Sequence, residues 1–208
     1  MTGTTVPSWL TFDATTGVLS GTPLNANVGD NSVVITVGDG TTTVTDSFTI
    51  TVANTNDAPT ISSTAVTAAS EDSAYTYTVV AADVDAGDTV TVTGTTVPSW
   101  LTFTASTGVL TGTPTNAEVG SHAVVITATD ASGATATDSF TIVVANTNDA
   151  PTITSTAVTS ATEDSAYTYT VTASDVDVGD TLTMTGTTVP SWLTFDATTG
   201  VLSGTPLN

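Results

Sequence analysis

Apolar and polar residues alternate over short stretches along most of the chain. In residues 73–81, Tyr75, Tyr77 and Val79 fall on one face of an extended segment. Further stretches of this kind, rich in β-branched residues, lie at residues 89–96, 122–129 and 136–145. No window shows a convincing helical period, so the pattern predicts a chain built of β-strands.

The sequence repeats itself with a period of about 92 residues. The tryptophans Trp9, Trp100 and Trp192 all stand in the same context, VPSWLTF. Residues 1–25 return without a change as residues 184–208. A fixed period of this length is typical of arrays in which each repeat is one structural unit.

The repeats predict three parts. Residues 1–58 are the C-terminal part of a module, residues 59–150 a complete module and residues 151–208 the N-terminal part of a third. We expect the chain to be a window from a longer array, whose neighbouring sequence supplies the strands that the outer parts lack. In the isolated chain, the outer parts would either fray or pair between copies, the end of one with the start of another.

Turn-forming sequences divide each module into about seven predicted strands. DAGD, STG, GTPTN, ASG and NDAP separate the strand stretches. Short strands with Thr on one face and Val, Ile, Tyr or Phe on the other are typical of two antiparallel sheets packed face to face. The predicted fold class is therefore all-β, with β-sandwich modules in tandem.

The charge balance excludes several classes of partner. The chain has 20 acidic residues, one His, no Lys or Arg and no Cys. Without cationic side chains it has nothing to neutralise phosphates, so neither a nucleic acid nor an anionic membrane surface is expected as a partner. No apolar run is long enough to cross a membrane, and no signal peptide is visible at residue 1. The acids must repel one another or hold cations.

The acidic residues recur in three kinds of cluster. The sequence NTND contributes Asn54, Asn56 and Asp57 and, one repeat later, Asn146, Asn148 and Asp149. The sequence DVDxGD contributes Asp83, Asp85 and Asp88 and then Asp175, Asp177 and Asp180. Strand ends contribute Glu71, Asp72, Asp130 and Asp138, with counterparts Glu163, Asp164, Asp39 and Asp46. Each cluster lies beside a predicted turn, so we expect it at a pole of a sandwich, with NTND at the joint between modules.

Oxygen donors without Cys or a recurring His suit Ca²⁺, which takes six to eight oxygens from carboxylates, amides and carbonyls. An Asp-x-Asp pair in a loop can direct both carboxylates to one ion, because the residue between them faces away. The alternative is that Asn and Asp only form turns. That alternative explains single residues, but not why the clusters recur together in a chain without a cation of its own. We therefore predict Ca²⁺ as the bound cofactor.

Three longer sequences resemble a known family. They are TATDASGATATDSFTIVVANTNDAP at residues 127–151, EDSAYTYTVTASDVDVGDTL at residues 163–182 and SWLTFDATTGVLSGTP at residues 8–23. They resemble the bacterial cadherin-like repeats of the dystroglycan-type cadherin-like and He-PIG Ig-like kinds, and the likeness covers essentially the whole chain. This resemblance implies Greek-key β-sandwiches in series, in large secreted or surface adhesins, with Ca²⁺ at the joints.

The resemblance also implies which residues hold the ions. The first joint would use linker residues Asn56 and Asp57, loop residues Asp83 and Asp85, and Asp130 at the end of a later strand. Glu71 matches the Glu that in cadherins serves the joint after its own domain, so the second joint would use Glu71, Asn148, Asp149, Asp175 and Asp177.

Two departures from the cadherin pattern reduce the expected number of ions. SGTP stands where cadherins carry an acidic LDRE-like motif, and the first linker position is Asn54 or Asn146 instead of Asp. We therefore expect one or two ions at each joint.

The predicted function is that of a Ca²⁺-stiffened stalk segment of an extracellular or cell-surface adhesin. Its partners would be calcium ions and neighbouring modules, with a cell-surface glycan or protein contacted through other parts of the parent protein. The alternative is a glycan-binding module that uses Trp9, Trp100 and Trp192, although Trp beside Leu and Phe is more typical of a core anchor. An enzyme is disfavoured, because every carboxylate pair recurs with the module and the only His is His122.

Overall fold

In the computed structural model, which describes residues 1–208, strands dominate and the only helical residues are two three-residue 3₁₀ turns. The structure has no helix with the length and apolar character needed to span a membrane.

Residues 1–58 contain β1 Thr2–Thr5, β2 Leu10–Asp13, β3 Val18–Gly21, the turn Asn25–Asn27, β4 Gly29–Gly38 and β5 Thr43–Val52. Residues 59–150 contain β6 Thr60–Ile61, β7 Ala68–Ser70, β8 Tyr75–Thr78, β9 Ala81–Ala82, β10 Thr91–Thr96, β11 Leu101–Thr104, β12 Val109–Gly112, the turn Asn116–Glu118, β13 Gly120–Thr129 and β14 Thr135–Ala145. Residues 151–208 contain β15 Thr152–Ile153, β16 Tyr167–Thr170, β17 Ala173–Ser174, β18 Leu193–Asp196 and β19 Val201–Gly204.

Two sheets enclose the core of residues 59–150. One has the strand order β10-β13-β14-β7 and the other the order β11-β12-β8, while β6 and β9 form a small pair at one end. All pairs within these sheets are antiparallel except β14 with β7, which is parallel. The predicted all-β sandwich is therefore present, with two very short strands and one parallel pair that the sequence pattern did not indicate.

The alternation seen in the sequence becomes the inside and outside of this sandwich. Tyr75 and Tyr77 of β8 are buried, while the threonines between and after them are exposed. They pack with Leu110, Ile126 and Ile142, which have no exposed surface. Since these five side chains come from both sheets, burial of their apolar area holds the sheets face to face.

Residues 1–58 and 151–208 bury less of their apolar surface than residues 59–150 do. Val37 of β4 is 48% exposed. Its counterpart in β13, Ala128, is fully buried. Residues 183–188 correspond to β10 but form no strand. In the middle repeat β10 is held by β13. Whether the outer parts fray or pair between copies stays a prediction.

A close backbone approach explains the recurring Gly-Thr-Pro. Leu101 and Gly112 are paired neighbours in the β11–β12 hairpin. A Cβ atom added at Gly112 would lie 2.1 Å from the carbonyl oxygen of Trp100. Gly21 and Gly204 meet the same obstacle at the carbonyls of Trp9 and Trp192, at 2.0 Å each. The backbone carbonyl of the tryptophan lies so close to the glycine that the hairpin has no room for a side chain there.

Replacing Gly112 by Ala should destabilise the middle sandwich by more than about 2 kcal/mol, because backbone must move to admit the methyl group. Thr111→Ala, an exposed change one residue earlier, should stay within about 0.5 kcal/mol. Urea unfolding followed by tryptophan fluorescence measures both variants. Equal stability of the two variants would show that the close approach does not constrain the fold.

Burial of tyrosines makes the middle sandwich sensitive to alkali. Tyr75 is 5% exposed and its hydroxyl donates to the carbonyl oxygen of Val66 at 2.7 Å. Desolvation raises the pKa of Tyr75 to about 12 and also raises the pKa of Tyr77. A folded pKa above the unfolded value of about 10 gives stability that is complete below about pH 10 and is lost as the pH rises through about 12.

We therefore expect the free energy of unfolding to fall between about pH 10 and 12, and to fall less in the Tyr75→Phe variant. That variant should also lose about 1 kcal/mol at pH 7 with its hydrogen bond. Tyr167→Phe removes the equivalent bond to Val158 in the third part and should retain the alkaline decline. Denaturant titrations across this pH range test the expectation, which fails if Tyr75→Phe and the unsubstituted chain decline alike.

Candidate metal centres between the repeats

Four acidic side chains are buried, and all of them lie between repeats. They are Glu71, Asp85, Asp130 and Asp177, with exposures of 1 to 6%. Acidic residues are almost never buried unless they are paired with a cation, a metal or strong hydrogen-bond donors. We call the region around Asp85 and Asp130 the first joint and the region around Glu71 and Asp177 the second joint.

At the first joint, the linker after β5 is tied to two loops of the following repeat. The backbone N–H of Asp57 donates to Oδ2 of Asp85 at 2.8 Å. The side-chain amide of Asn56 donates to Oδ2 of Asp130 at 2.9 Å. Asp85 lies in the loop after β9 and Asp130 in the loop after β13. The linker therefore contacts two loops of the following repeat.

The loop after β9 concentrates three carboxylates. Candidate ligand oxygens of Asp83, Asp85 and Asp88 lie within 4.8 Å of one another. The N–H of Asp85 donates to Oδ1 of Asp83 at 2.9 Å, while the intervening Val84 is 60% exposed. Oδ2 of Asp83 is buried and has no hydrogen-bond partner. An acceptor oxygen in that position fits a cation, since no protein donor reaches it.

Hydrogen bonds keep the carboxylates of Asp85 and Asp130 ionised at the first joint. The N–H of Asp57, followed by the amide of Asn25, holds the pKa of Asp85 below its ordinary value. The amide of Asn56 is the largest cause of the lowered pKa of Asp130. Both carboxylates are therefore charged at neutral pH, and each raises the cost of charging the other.

The second joint repeats this construction and adds two acids from the preceding repeat. The N–H of Asp149 donates to Oδ2 of Asp177 at 2.7 Å, and oxygens of Asp175, Asp177 and Asp180 lie within 4.8 Å of one another. In a second group, candidate ligand oxygens of Glu71, Asp72 and Asp149 also lie within 4.8 Å of one another. Oε2 of Glu71 accepts the N–H of linker residue Thr147 at 3.2 Å.

The structure therefore brings the sequence-predicted site residues together in two groups. The first joint contains Asn56, Asp57, Asp83, Asp85 and Asp130. The second joint contains Glu71, Asn148, Asp149, Asp175 and Asp177. Within residues 1–208, Glu71 and Asp72 lie at the second joint and Asp130 lies at the first.

Two asparagines that the sequence reasoning missed also reach the joints. The side-chain amide of Asn25 lies 2.9 Å from Oδ2 of Asp57 and 2.9 Å from Oδ1 of Asp85. The amide of Asn116 lies 2.8 Å from Oδ1 of Asp177. The available signal was their recurrence two positions after Gly-Thr-Pro, in GTPLN and GTPTN.

Other acids only stabilise turns, as the alternative interpretation expected. Oδ1 of Asp13 accepts the N–H groups of Thr15 and Thr16. The Thr16 side chain, followed by these backbone groups, lowers the pKa of Asp13. Asp39 accepts the N–H groups of Thr41 and Thr42, which lower its pKa to about 2. Turn formation therefore explains these residues without a metal.

The tryptophans are half-buried parts of the packing. Trp100 packs edge-on against Tyr75 and His122, with ring centroids 5.8 Å apart in both pairs. Nε1 of Trp9 donates to Oδ1 of Asn31 at 3.0 Å, and His122 occupies the place of Asn31 in the next repeat. These contacts favour the core-anchor interpretation over an exposed platform for glycans.

The chain has relatives that are adhesins. Over 120 residues it is 38% identical to the serine-rich adhesin for platelets of Staphylococcus aureus strain MRSA252, an alignment that covers 58% of this chain and 9% of the adhesin. The chain thus spans less than a tenth of the length of that relative.

Solved structures show the fold. The extracellular cadherin domains 1–5 of protocadherin gamma B2 match 99% of this chain and 45% of their own length, with a TM-score of 0.58 and 17% identity. This match confirms the predicted cadherin-like sandwich. An endo-fucoidan hydrolase of glycoside hydrolase family 107 matches all of this chain and 34% of its own length, with 30% identity but a TM-score of 0.40, which supports no functional conclusion.

A family model matches the chain three times in succession. The model is He_PIG, described as Putative Ig domain, and it matches residues 1–53, 58–145 and 150–208. These matches follow the sequence repeats and leave out the linker residues 54–57 and 146–149. The chain therefore belongs to the He_PIG family of Ig-like domains.

Proposed function

We propose that the chain is a stalk segment of an extracellular, cell-surface adhesin, in which Ca²⁺ stiffens the joint between successive modules. The observation that carries this proposal is the burial of Glu71, Asp85, Asp130 and Asp177 between repeats in a chain without Lys or Arg. Carboxylates buried this close together favour a positive charge in addition to their hydrogen-bond donors. A divalent cation would supply it.

We also propose that residues 59–150 form one complete module and that residues 1–58 and 151–208 are parts of two others. Strands pair only within these ranges and never across them. The three family matches fall within nearly the same limits. Repeats that contact only their neighbours extend a protein in one dimension, which suits a stalk.

The donor atoms at the joints fit Ca²⁺ better than a transition metal. They are carboxylate and amide oxygens, without sulfur, and His122 is not among them. Asn56, Asp57, Asp83, Asp85 and Asp130 would hold the ion at the first joint. Glu71, Asn148, Asp149, Asp175 and Asp177 would hold it at the second. Two separate acidic groups at the second joint support one or two ions there.

The adhesin-like role rests on the family and its relatives. The matched relatives are named as adhesins, and the carboxylate triplet Asp83, Asp85 and Asp88 recurs unchanged one repeat later. We propose that the neighbouring modules are the direct partners of this segment. A cell-surface glycan or protein would be contacted elsewhere in the parent protein.

Calcium should raise the unfolding temperature of the chain. Sites in extracellular modules bind at roughly 10⁻⁴–10⁻³ M, and at about 100 times the dissociation constant one site adds about 2.7 kcal/mol. The double variant Asp83→Asn with Asp85→Asn should remove most of the effect at the first joint. Asp13→Asn, in a turn, should keep it. Calorimetry with calcium or with a chelator measures this, and identical melting curves in both solutions would refute the metal proposal.

Loss of one charge at the second joint should weaken calcium binding there alone. Glu71→Gln keeps the shape of a side chain that is 1% exposed and should raise the dissociation constant of that joint about tenfold, or about 1.4 kcal/mol. Asp196→Asn is the control, because its exposed carboxylate accepts only the N–H groups of Thr198 and Thr199 in a turn away from the joint. Calcium titration by NMR resolves the joints; unchanged affinity in Glu71→Gln would remove Glu71 from the site.

A further inference from the structure

We propose that Asn25 and Asn116 are latch residues that close the joints when no metal ion is bound. The amide of Asn25 donates to Asp57 in the linker and to Asp85 in the next repeat, and the amide of Asn116 donates to Asp177 in the next repeat. The inference rests on the proposed division into modules, but it does not require calcium. It gives this family member a joint that keeps its geometry at low calcium concentration.

The first joint shows the latch in full. Nδ2 of Asn25 donates to Oδ2 of Asp57 at 2.9 Å and to Oδ1 of Asp85 at 2.9 Å, so both of its N–H groups are used. Oδ2 of Asp85 accepts the N–H of Asp57 at 2.8 Å. The side chain thus connects the turn of one repeat, the linker and the loop of the next repeat in a closed set of bonds.

A neutral donor suits this position. Asp57 and Asp85 would repel each other across the joint, and the chain has no Lys or Arg to place between them. Hydrogen bonds to charged groups are worth more than those between neutral groups. An amide that donates to both carboxylates therefore offsets their repulsion and adds no charge of its own.

The turn that presents the latch is built twice with different residues. In the first repeat, Oδ1 of Asn27 accepts the N–H of Leu24 at 2.8 Å. In the second, Oε2 of Glu118 accepts the N–H of Thr115 at 2.8 Å. The bond back to the residue before the turn is kept although the side chain that makes it has changed. In both turns the first residue is Asn, and only its amide is directed to the next repeat.

The second latch has fewer bonds. Nδ2 of Asn116 donates to Oδ1 of Asp177 at 2.8 Å, whereas Asp149, the counterpart of Asp57, groups with Glu71 and Asp72. The second latch is therefore the single bond from Asn116 to Asp177.

The same side chain can also serve the calcium-bound state of the proposed function. A carboxamide carries a carbonyl oxygen beside its NH₂ group. Turning the amide over would replace a donor to carboxylates by an oxygen ligand for a cation. Asn at this position thus suits both states, whereas an Asp would suit only the state with the ion.

Distances between two spin labels, measured by electron paramagnetic resonance across the first joint, test the latch directly. The chain has no Cys, so Ser47→Cys and Ser106→Cys, both at exposed positions, accept labels in the first and second repeats without background. In chelator, the unsubstituted joint should give one narrow distance distribution. Asn25→Ala should broaden it, with the ratio of closed to open joint falling about tenfold or more. Asn116→Ala should leave this distribution unchanged, since it acts at the other joint.

Asn25→Asp separates the latch from the metal site. In chelator, this variant should open the joint at least as far as Asn25→Ala, because three carboxylates then meet. Added calcium should close the first joint again.

If calcium fails to close the joint of this variant while the results in chelator are as expected, the calcium proposal fails and the latch stands. If Asn25→Ala is as narrow as the unsubstituted chain in chelator, or if both are equally broad, the latch is refuted. Circular dichroism verifies that each variant is folded.

Discussion

Neutralisation of buried carboxylates is the constraint on which the arrangement of this chain depends. With 20 acidic residues and no Lys or Arg, the protein cannot form the ion pairs that usually accompany buried acids. Its available donors are backbone N–H groups, amides, hydroxyls and, in our proposal, Ca²⁺. Each buried acid lies between repeats, so the same constraint that governs its ionisation also governs how one repeat meets the next.

Two kinds of interaction are therefore separated in space. Within residues 59–150, apolar burial around Leu110, Ile126 and Ile142 holds the sheets together and needs no charge. Between repeats, contacts are polar and involve few residues, such as Asp57 with Asp85. In our proposal the polar contacts between repeats respond to calcium and salt, while the apolar core of the middle sandwich depends on neither. A stalk built from such modules would then change stiffness without unfolding.

Much of the fold could be predicted because its pattern is local. Tyr75, Tyr77 and Val79 alternate with exposed residues in the sequence and are buried in the structure. The parallel pairing of β7 with β14 was not predictable, because its partners lie more than 70 residues apart and alternation does not encode direction. Residues 183–188 have the sequence of a strand but form none, since strand formation depends on a partner as well as on propensity.

The joints show where sequence reasoning stops. Asp39 and Asp130 occupy the same repeat position, and both accept backbone N–H groups within their hairpin turns. Only Asp130 also receives an amide from a linker, that of Asn56, so neighbouring structure and not residue type separates a turn acid from a joint acid. Asn25 was missed for the same reason, because it meets Asp85 across 60 positions of the chain.

The measurement that tests the central claim most directly is calcium titration by isothermal calorimetry at fixed ionic strength. The unsubstituted chain is compared with a variant in which Asp83, Asp85, Asp175 and Asp177 are all changed to Asn. The account predicts saturable binding with a dissociation constant of roughly 10⁻⁴–10⁻³ M and its loss in the variant. Heats no larger than dilution in the unsubstituted chain, or equal binding by the variant, would contradict it.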